Sequence, residues 1–148
     1  MVRLATVKDA EQLKLLNDAY NGVSDTLPEH IRDSLINNAQ EIVVVDEESS
    51  LLAGFVCIQL KKSFCYHEYV PEITEVYVRQ EYRKHGIASA MISFAEDYCI
   101  RHYSVSGFEL LTGKENLTAR SVYEELGYGD DEEIHLSKQI HTGIKSWL

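Results

Sequence analysis

The sequence predicts a mixed α/β fold, and three observations lead there. Apolar runs of strand length, at Glu41 to Asp46, Leu52 to Leu60 and Ile73 to Val78, are separated by polar connections. From Gly86 the apolar spacing changes from two residues to about 3.6, with Ile87, Met91, Phe94, Ala95, Tyr98 and Cys99 on one stripe. Element types go on alternating to the end of the chain, with no repeat, low-complexity stretch or linker to divide it. Residues 1–148 therefore read as a single domain.

Val2 to Thr6 has the pattern of a short strand. Thr6, three residues before Asp9, resembles a capping box that opens a helix carrying Leu13, Leu16 and Tyr20 on one side. A second helix begins near Thr26 to Glu29, where Pro28 suits the first turn and Ile31, Leu35 and Ile36 form the stripe. Glu41 to Asp46 and Leu52 to Leu60 make a hairpin, with the polar Asp46 to Ser50 as its turn. Ile73 to Val78 is the next strand, and the long helix follows Gly86. Phe108 to Thr112 is strand-like again. Ala119, Val122, Tyr123 and Leu126 then give the i, i+3, i+4, i+7 stripe of a short helix ended by Gly127. Ile134 to Ile140 closes the sheet, and His141 to Leu148 is a tail with no assigned role.

Composition removes several function classes. The chain has 148 residues, with 14 Lys+Arg against 24 Asp+Glu and a formal charge of −10. A domain of this length buries about two-thirds of the surface its unfolded chain exposes, so its core needs neither metal nor disulfide. At 45% hydrophobic and 26% charged with two prolines, it is neither disordered nor collagen-like. The acidic balance disfavours nucleic acids and anionic membranes and favours cationic partners. Cys57, Cys65 and Cys99 are an odd set without a C-x-x-C pair, as expected of reduced thiols in the cytoplasm. Charge at Arg3, Lys8 and Asp9 comes too early for a signal peptide, and no apolar run approaches the roughly 20 residues of a membrane span. The expectation is a soluble cytoplasmic protein.

The chemistry concentrates where the strand Ile73 to Val78 passes through Arg79 to Arg83, then Lys84, His85 and Gly86, into the long helix. The first turn of a helix presents unpaired N–H groups and a partial positive charge, which anion oxygens satisfy. Gly86 lets the backbone approach a ligand closely. Arg79, Arg83 and Lys84 concentrate positive charge in an acidic chain, either to solubilise a loop or to hold an anion. Neither G-x-x-x-x-G-K-[ST] nor G-x-G-x-x-G occurs, so the signatures of P-loop hydrolysis and dinucleotide binding are both missing.

These residues resemble the GNAT superfamily of N-acetyltransferases, whose signature [QR]-x-x-G-x-[GA] joins the fourth strand to the central helix. Arg83-x-x-Gly86-x-Ala88 matches it, with Ala88 at the position of the commoner second glycine. Downstream, Asn116-x-x-Ala119-x-x-Val122-Tyr123-x-x-x-Gly127-Tyr128 is similar to the family's second region. The resemblance covers nearly the whole chain. It implies a mostly antiparallel central sheet flanked by helices and splayed between the fourth and fifth strands. Few residues separate Tyr128 from the last strand, which leaves little chain for the usual sixth.

The resemblance also implies that acetyl-CoA is the cosubstrate, with no metal. Its pyrophosphate would lie on the backbone of Lys84, His85, Gly86, Ile87, Ala88 and Ser89, with Arg83 alongside. The pantetheine would run along Val76, Tyr77 and Val78, and Asn116, Ala119 and Tyr123 would add contacts. Acetyl transfer needs a base for the amine, and Glu72 and Glu75 lie on the adjacent strand. Glu72 is preferred, because regular alternation turns Glu75 to the opposite face unless a bulge intervenes. Glu72 could equally be a solvated strand-end carboxylate. Tyr123 resembles the family's proton donor to the departing sulfur, and it also completes an apolar stripe. Asn116 either bonds the cofactor or caps the helix at Leu117.

Tyr20, Asn21 and Asp25, with Tyr66, His67, Glu68 and Tyr69, fall in the regions that line the family's acceptor pocket and would suit a small cationic amine. The implied reaction is direct transfer in a ternary complex to a polyamine, an aminoglycoside-like drug, an amino-acid derivative or a protein N-terminus or lysine. A non-catalytic CoA-binding module is the alternative, and a homodimer is left open. Cys65 with His67 and Glu68 falls short of a four-ligand zinc set, and Asp130 to Glu133 reads as a solvated turn.

Overall fold

The computed structural model describes residues 1–140. Five strands form one sheet in the order β1 (Val2–Leu4), β2 (Glu41–Glu48), β3 (Leu51–Gln59), β4 (Glu72–Val78) and β5 (Glu109–Leu110). The first four are antiparallel neighbours, while β5 runs parallel to β4. The helices are α1 (Ala10–Asn21), α2 (Pro28–Asn37), α3 (Ile87–His102) and α4 (Leu117–Glu125). The expected mixed, mostly antiparallel architecture is what forms.

The unbroken apolar runs of β2 and β3 make sense because both faces of the sheet are covered. On one face Val45, Leu52 and Phe55 pack with Leu13 and Leu16 of α1, and Ile31 and Leu35 of α2 close over them. On the other face Ile42, Val44, Val56, Ile58, Ile73 and Val78 meet Met91, Ile92, Ala95 and Cys99 of α3. Tyr123, Leu126 and Tyr128 join that second layer from the α4 side.

Gly54 of β3 sits tightly against β4 and α3. A Cβ there would fall on the Tyr77 carbonyl oxygen and lie 3.2 Å from the Met91 methyl. Gly54→Ala should therefore destabilise the protein by about 1–3 kcal/mol through overpacking, read as a lower denaturant midpoint at unchanged slope.

Several expectations are corrected. The hairpin turn is only Ser49–Ser50, with φ of 52° and 71°, as a two-residue primed turn requires. Asp46 accordingly lies inside β2 and is 3% exposed. Ile36 is 69% exposed, since Ile31 and Leu35 alone face the sheet from α2. The strand expected at Phe108 to Thr112 contracts to Glu109–Leu110.

No strand forms at Ile134 to Ile140, and Ile134 and Leu136 stay more than four-fifths exposed. Upstream, the N–H groups of Glu132 and Glu133 donate to Asp130 and Asp131 Oδ1 at 2.7 and 3.0 Å, and Glu132 has φ +66°. These local bonds compete with ladder pairing and turn the chain. The two-residue β5 offers little edge to pair with. The tail at residues 141–148 lies outside the described residues.

Candidate active site

The sheet opens between β4 and β5. Among the described residues only Glu72↔Glu109 and Ile73↔Leu110 are paired, and beyond Ile73 no described strand lies beside the outer edge of β4. Val76, Tyr77 and Val78 border this split. Polar backbone groups on such an edge can bond an extended amide-bearing ligand. The Val78 carbonyl already accepts the Arg83 Nε–H at 2.8 Å.

At the C-terminal end of β4 the chain makes a one-turn 3-10 helix, Gln80–Tyr82, and reaches α3 through a tight turn. Lys84 and Gly86 have φ of +67° and +76°, and a Cβ at Gly86 would meet nothing within 4 Å. The first bond of α3 is Ala90 N–H to Gly86 O at 3.0 Å. The N–H groups of Ile87, Ala88 and Ser89 thus precede the helical ladder and have no partner among the described residues. An open, left-handed glycine before three free N–H donors, with exposed Arg83, Lys84 and His85 alongside, fits the pyrophosphate of acetyl-CoA. Arg79 does not join this positive turn. Its Nε–H donates to the Leu52 carbonyl at 2.9 Å and braces β3.

Within β4 the pairing steps from Cys57↔Glu75 to Ile58↔Ile73, leaving Thr74 as the extra residue of a bulge. The bulge restores Glu75 to the face covered by α1 and α2. Ile73 faces α3, so alternation puts Glu72 on the α1–α2 face as well. Glu72 and Glu75 therefore share a face, with different surroundings. Glu72 pairs with Lys61 at 3.1 Å, and Lys61 also pairs with Glu109 at 2.9 Å. Glu75 instead borders a cavity of about 260 Å³ between α1, α2 and the sheet.

Burial raises the Tyr20 phenol, and after burial the Glu75 carboxylate and Tyr123 raise it further. The Tyr20 phenol of α1 thus feels both Glu75 of β4 and Tyr123 of α4. Burial also raises the Tyr123 phenol, whose ring lies 6.4 Å edge-on from Tyr128. Tyr128 in turn donates to Glu96 Oε2 at 2.5 Å, fastening the end of α4 to α3. Tyr20, Phe55 and Tyr77 form an aromatic group with ring separations of 5.3–6.3 Å. The Arg83 guanidinium sits 5.7 Å from the Tyr77 centroid, joining that group to the turn.

Asn116 caps α4, its Oδ1 accepting the Ala119 N–H at 3.3 Å. Among the described residues no group of three or more His, Cys, Asp or Glu could hold a metal ion, and no helix is long and apolar enough to cross a membrane. Cys57, Cys65 and Cys99 are free thiols. Two cavity residues carry no site signal in the sequence: Cys57 reads as a reduced thiol and Glu41 as a strand position, and the cross-strand register reveals their company.

The sequence matches the Acetyltransferase (GNAT) family over residues 10–128. No curated protein matches it. Solved structures share its fold. A ribosomal-protein-alanine N-acetyltransferase from Brucella melitensis biovar Abortus 2308 superposes with TM-score 0.77 at 19% identity, covering 94% of this chain and 98% of that one. An aminoglycoside acetyltransferase from an uncultured soil metagenomic sample, in complex with sisomicin, gives 0.82 at 14% identity over 95% and 96%. A possible acetyltransferase from Clostridium difficile 630 gives 0.74 at 23% identity over 95% and 98%.

Proposed function

This chain belongs to the acetyltransferase (GNAT) family, and on that premise we propose that it transfers the acetyl group of acetyl-CoA to the primary amine of a small cationic acceptor, by direct attack in a ternary complex. The observation that supports this most is the α3 turn, where a left-handed Gly86 precedes three free N–H groups at the end of β4, the strand that also carries Glu75 on the cavity beneath α1 and α2.

When bound, acetyl-CoA supplies an activated carbonyl: a C–N bond forms to the acceptor, the C–S bond breaks, and the thiolate that leaves takes up a proton. The turn from Lys84 to Ser89 and the Arg83 side chain hold the anionic end. Glu75 accepts the proton that the acceptor ammonium must lose before its lone pair can attack. Tyr123, kept protonated by its raised pKa, donates toward the departing sulfur. Glu72, already paired with Lys61, shapes the end of the cleft, and Asn116 orients α4 and with it Tyr123.

A covalent acetyl-cysteine route has little support. Burial, then Glu41 and Glu75, push the Cys57 thiol well up, and burial and Glu96 push Cys99 to about 11. Neither supplies the thiolate nucleophile at neutral pH. The acidic chain and the carboxylates at the cavity suit a cationic acceptor.

Acetyl-CoA should raise the Tm of the wild type by several degrees, from about 2.7 kcal/mol of added stability at a hundredfold excess over Kd. Gly86→Asp sets a carboxylate and a Cβ against the anion and should abolish that shift. Release of CoA thiol in the presence of an amine panel then tests transfer. Equal shifts in both proteins would remove the turn from the binding site, and binding without turnover on any amine would favour the non-catalytic alternative.

A further inference from the structure

The cavity beneath α1 and α2 holds a second carboxylate that acetyl transfer does not use. Register across the sheet places Val43, Cys57 and Glu75 in one row and Glu41, Gln59 and Glu72 in the next. Glu41 on β2 and Glu75 on β4 thus stand two strands apart, about 10 Å across the sheet. Both line the same cavity of about 260 Å³.

Between them the walls are apolar: Leu13 from α1, Ile31 and Leu35 from α2, and Val43 and Phe55 from the sheet. Asn17, Asn21, Thr26 and Ser34 add neutral polar groups. Among the described residues no lysine or arginine lines the space. His30 is the one basic side chain that lines it among the described residues, and its Nδ1 accepts the Leu27 N–H at 3.1 Å, which requires that nitrogen to be unprotonated.

The Glu41 carboxylate itself makes no hydrogen bond or ion pair among the described residues, unlike Glu72 with Lys61. Burial, and after it Glu75, pushes the Glu41 carboxyl upward. Partly buried carboxylates without a cation are costly, and a positively charged guest would relieve the cost for both. The volume lies below the roughly 300–1,000 Å³ of pockets for drug-sized ligands, so the guest is slender.

We propose that Glu41 is the specificity residue of this cavity: it holds the distal ammonium of a short aliphatic diamine whose other amine is presented at Glu75. The methylene chain lies against Leu13, Leu35 and Phe55. The inference rests on the acetyl-transfer reading for what happens at Glu75, but diamine binding itself needs no turnover.

The test compares putrescine with butylamine, which has the same carbon chain and one charge fewer. Calorimetry on the wild type, and kcat/KM with acetyl-CoA, should both favour putrescine by about tenfold to a hundredfold, the range of a charge-assisted hydrogen bond. Glu41→Gln should raise the KM for putrescine and bring the putrescine-to-butylamine ratio toward one. Equal use of the two amines by the wild type, which involves no variant and no folding question, would overturn the proposal and leave acetyl transfer standing. So would a ratio unchanged in Glu41→Gln. Putrescine binding that depends on Glu41 in a protein that acetylates no amine would uphold the cavity and overturn the transfer reading.

Discussion

Tyr123→Phe should lower kcat by about 10²–10⁴-fold, the usual contribution of a positioned general acid, with nearly unchanged affinity for acetyl-CoA. The substitution removes one oxygen. That oxygen has no hydrogen-bond partner among the described residues, so its loss orphans nothing in the fold, and the ring that packs on the α3 layer and against Tyr128 is retained. Stability should stay within about 0.5 kcal/mol of the wild type. Tyr123→Ala removes the ring as well and should cost up to about 3–5 kcal/mol. Chemical denaturation of both variants separates the roles: a kcat deficit in the phenylalanine variant without a stability deficit belongs to the hydroxyl. If Tyr123→Phe turns over like the wild type with chemistry rate-limiting, Tyr123 is a packing residue and the thiolate takes its proton from water.

The parts of the fold that could be read from the sequence are those where periodicity is forced by packing. The stripe from Ile87 to Cys99 is legible because α3 buries one face along its length, with Met91, Ala95 and Cys99 completely covered. The turn before it is legible because a left-handed glycine ahead of free N–H groups leaves both a residue and a spacing in the sequence. Alternation at Ile134 to Ile140 reports only that these residues could sit in a strand. Whether they do depends on an edge to pair with and on the Asp130 and Asp131 side chains that capture neighbouring N–H groups. The sequence starts the hairpin turn too early because Asp46 looks like a loop residue, while its burial comes from the ladder continuing to Glu48.

The candidate site divides along the same line. Arg83, Gly86 and Tyr123 carry motif positions and are visible in one dimension. The relation between Glu72 and Glu75 is not, because one extra residue at Thr74 decides which face Glu75 occupies. Nothing in the composition of Glu72 to Val78 marks that bulge. Glu41 is further out of reach, since it joins Glu75 only through pairing across β3.

The bulge leads to the second large effect. Glu75→Gln keeps the shape of the side chain and removes the base, and kcat/KM at neutral pH should fall by about 10²–10⁴-fold. An aliphatic ammonium titrates near 10.4, so at pH 7 only about one acceptor in 2,500 carries a free lone pair without help. As pH rises toward that value solvent performs the deprotonation, and the deficit of Glu75→Gln should shrink. Glu72→Gln is the control on the same face of β4. It breaks an ion pair with the half-exposed Lys61, costs about 0–1 kcal/mol of stability, and should leave the shape of the pH–rate profile unchanged. The opposite pattern, a pH-dependent loss in Glu72→Gln and a normal profile in Glu75→Gln, would return the base to the strand end. It would also mean that the bulge serves the acceptor cavity alone, because Glu75 would still face Glu41 across it.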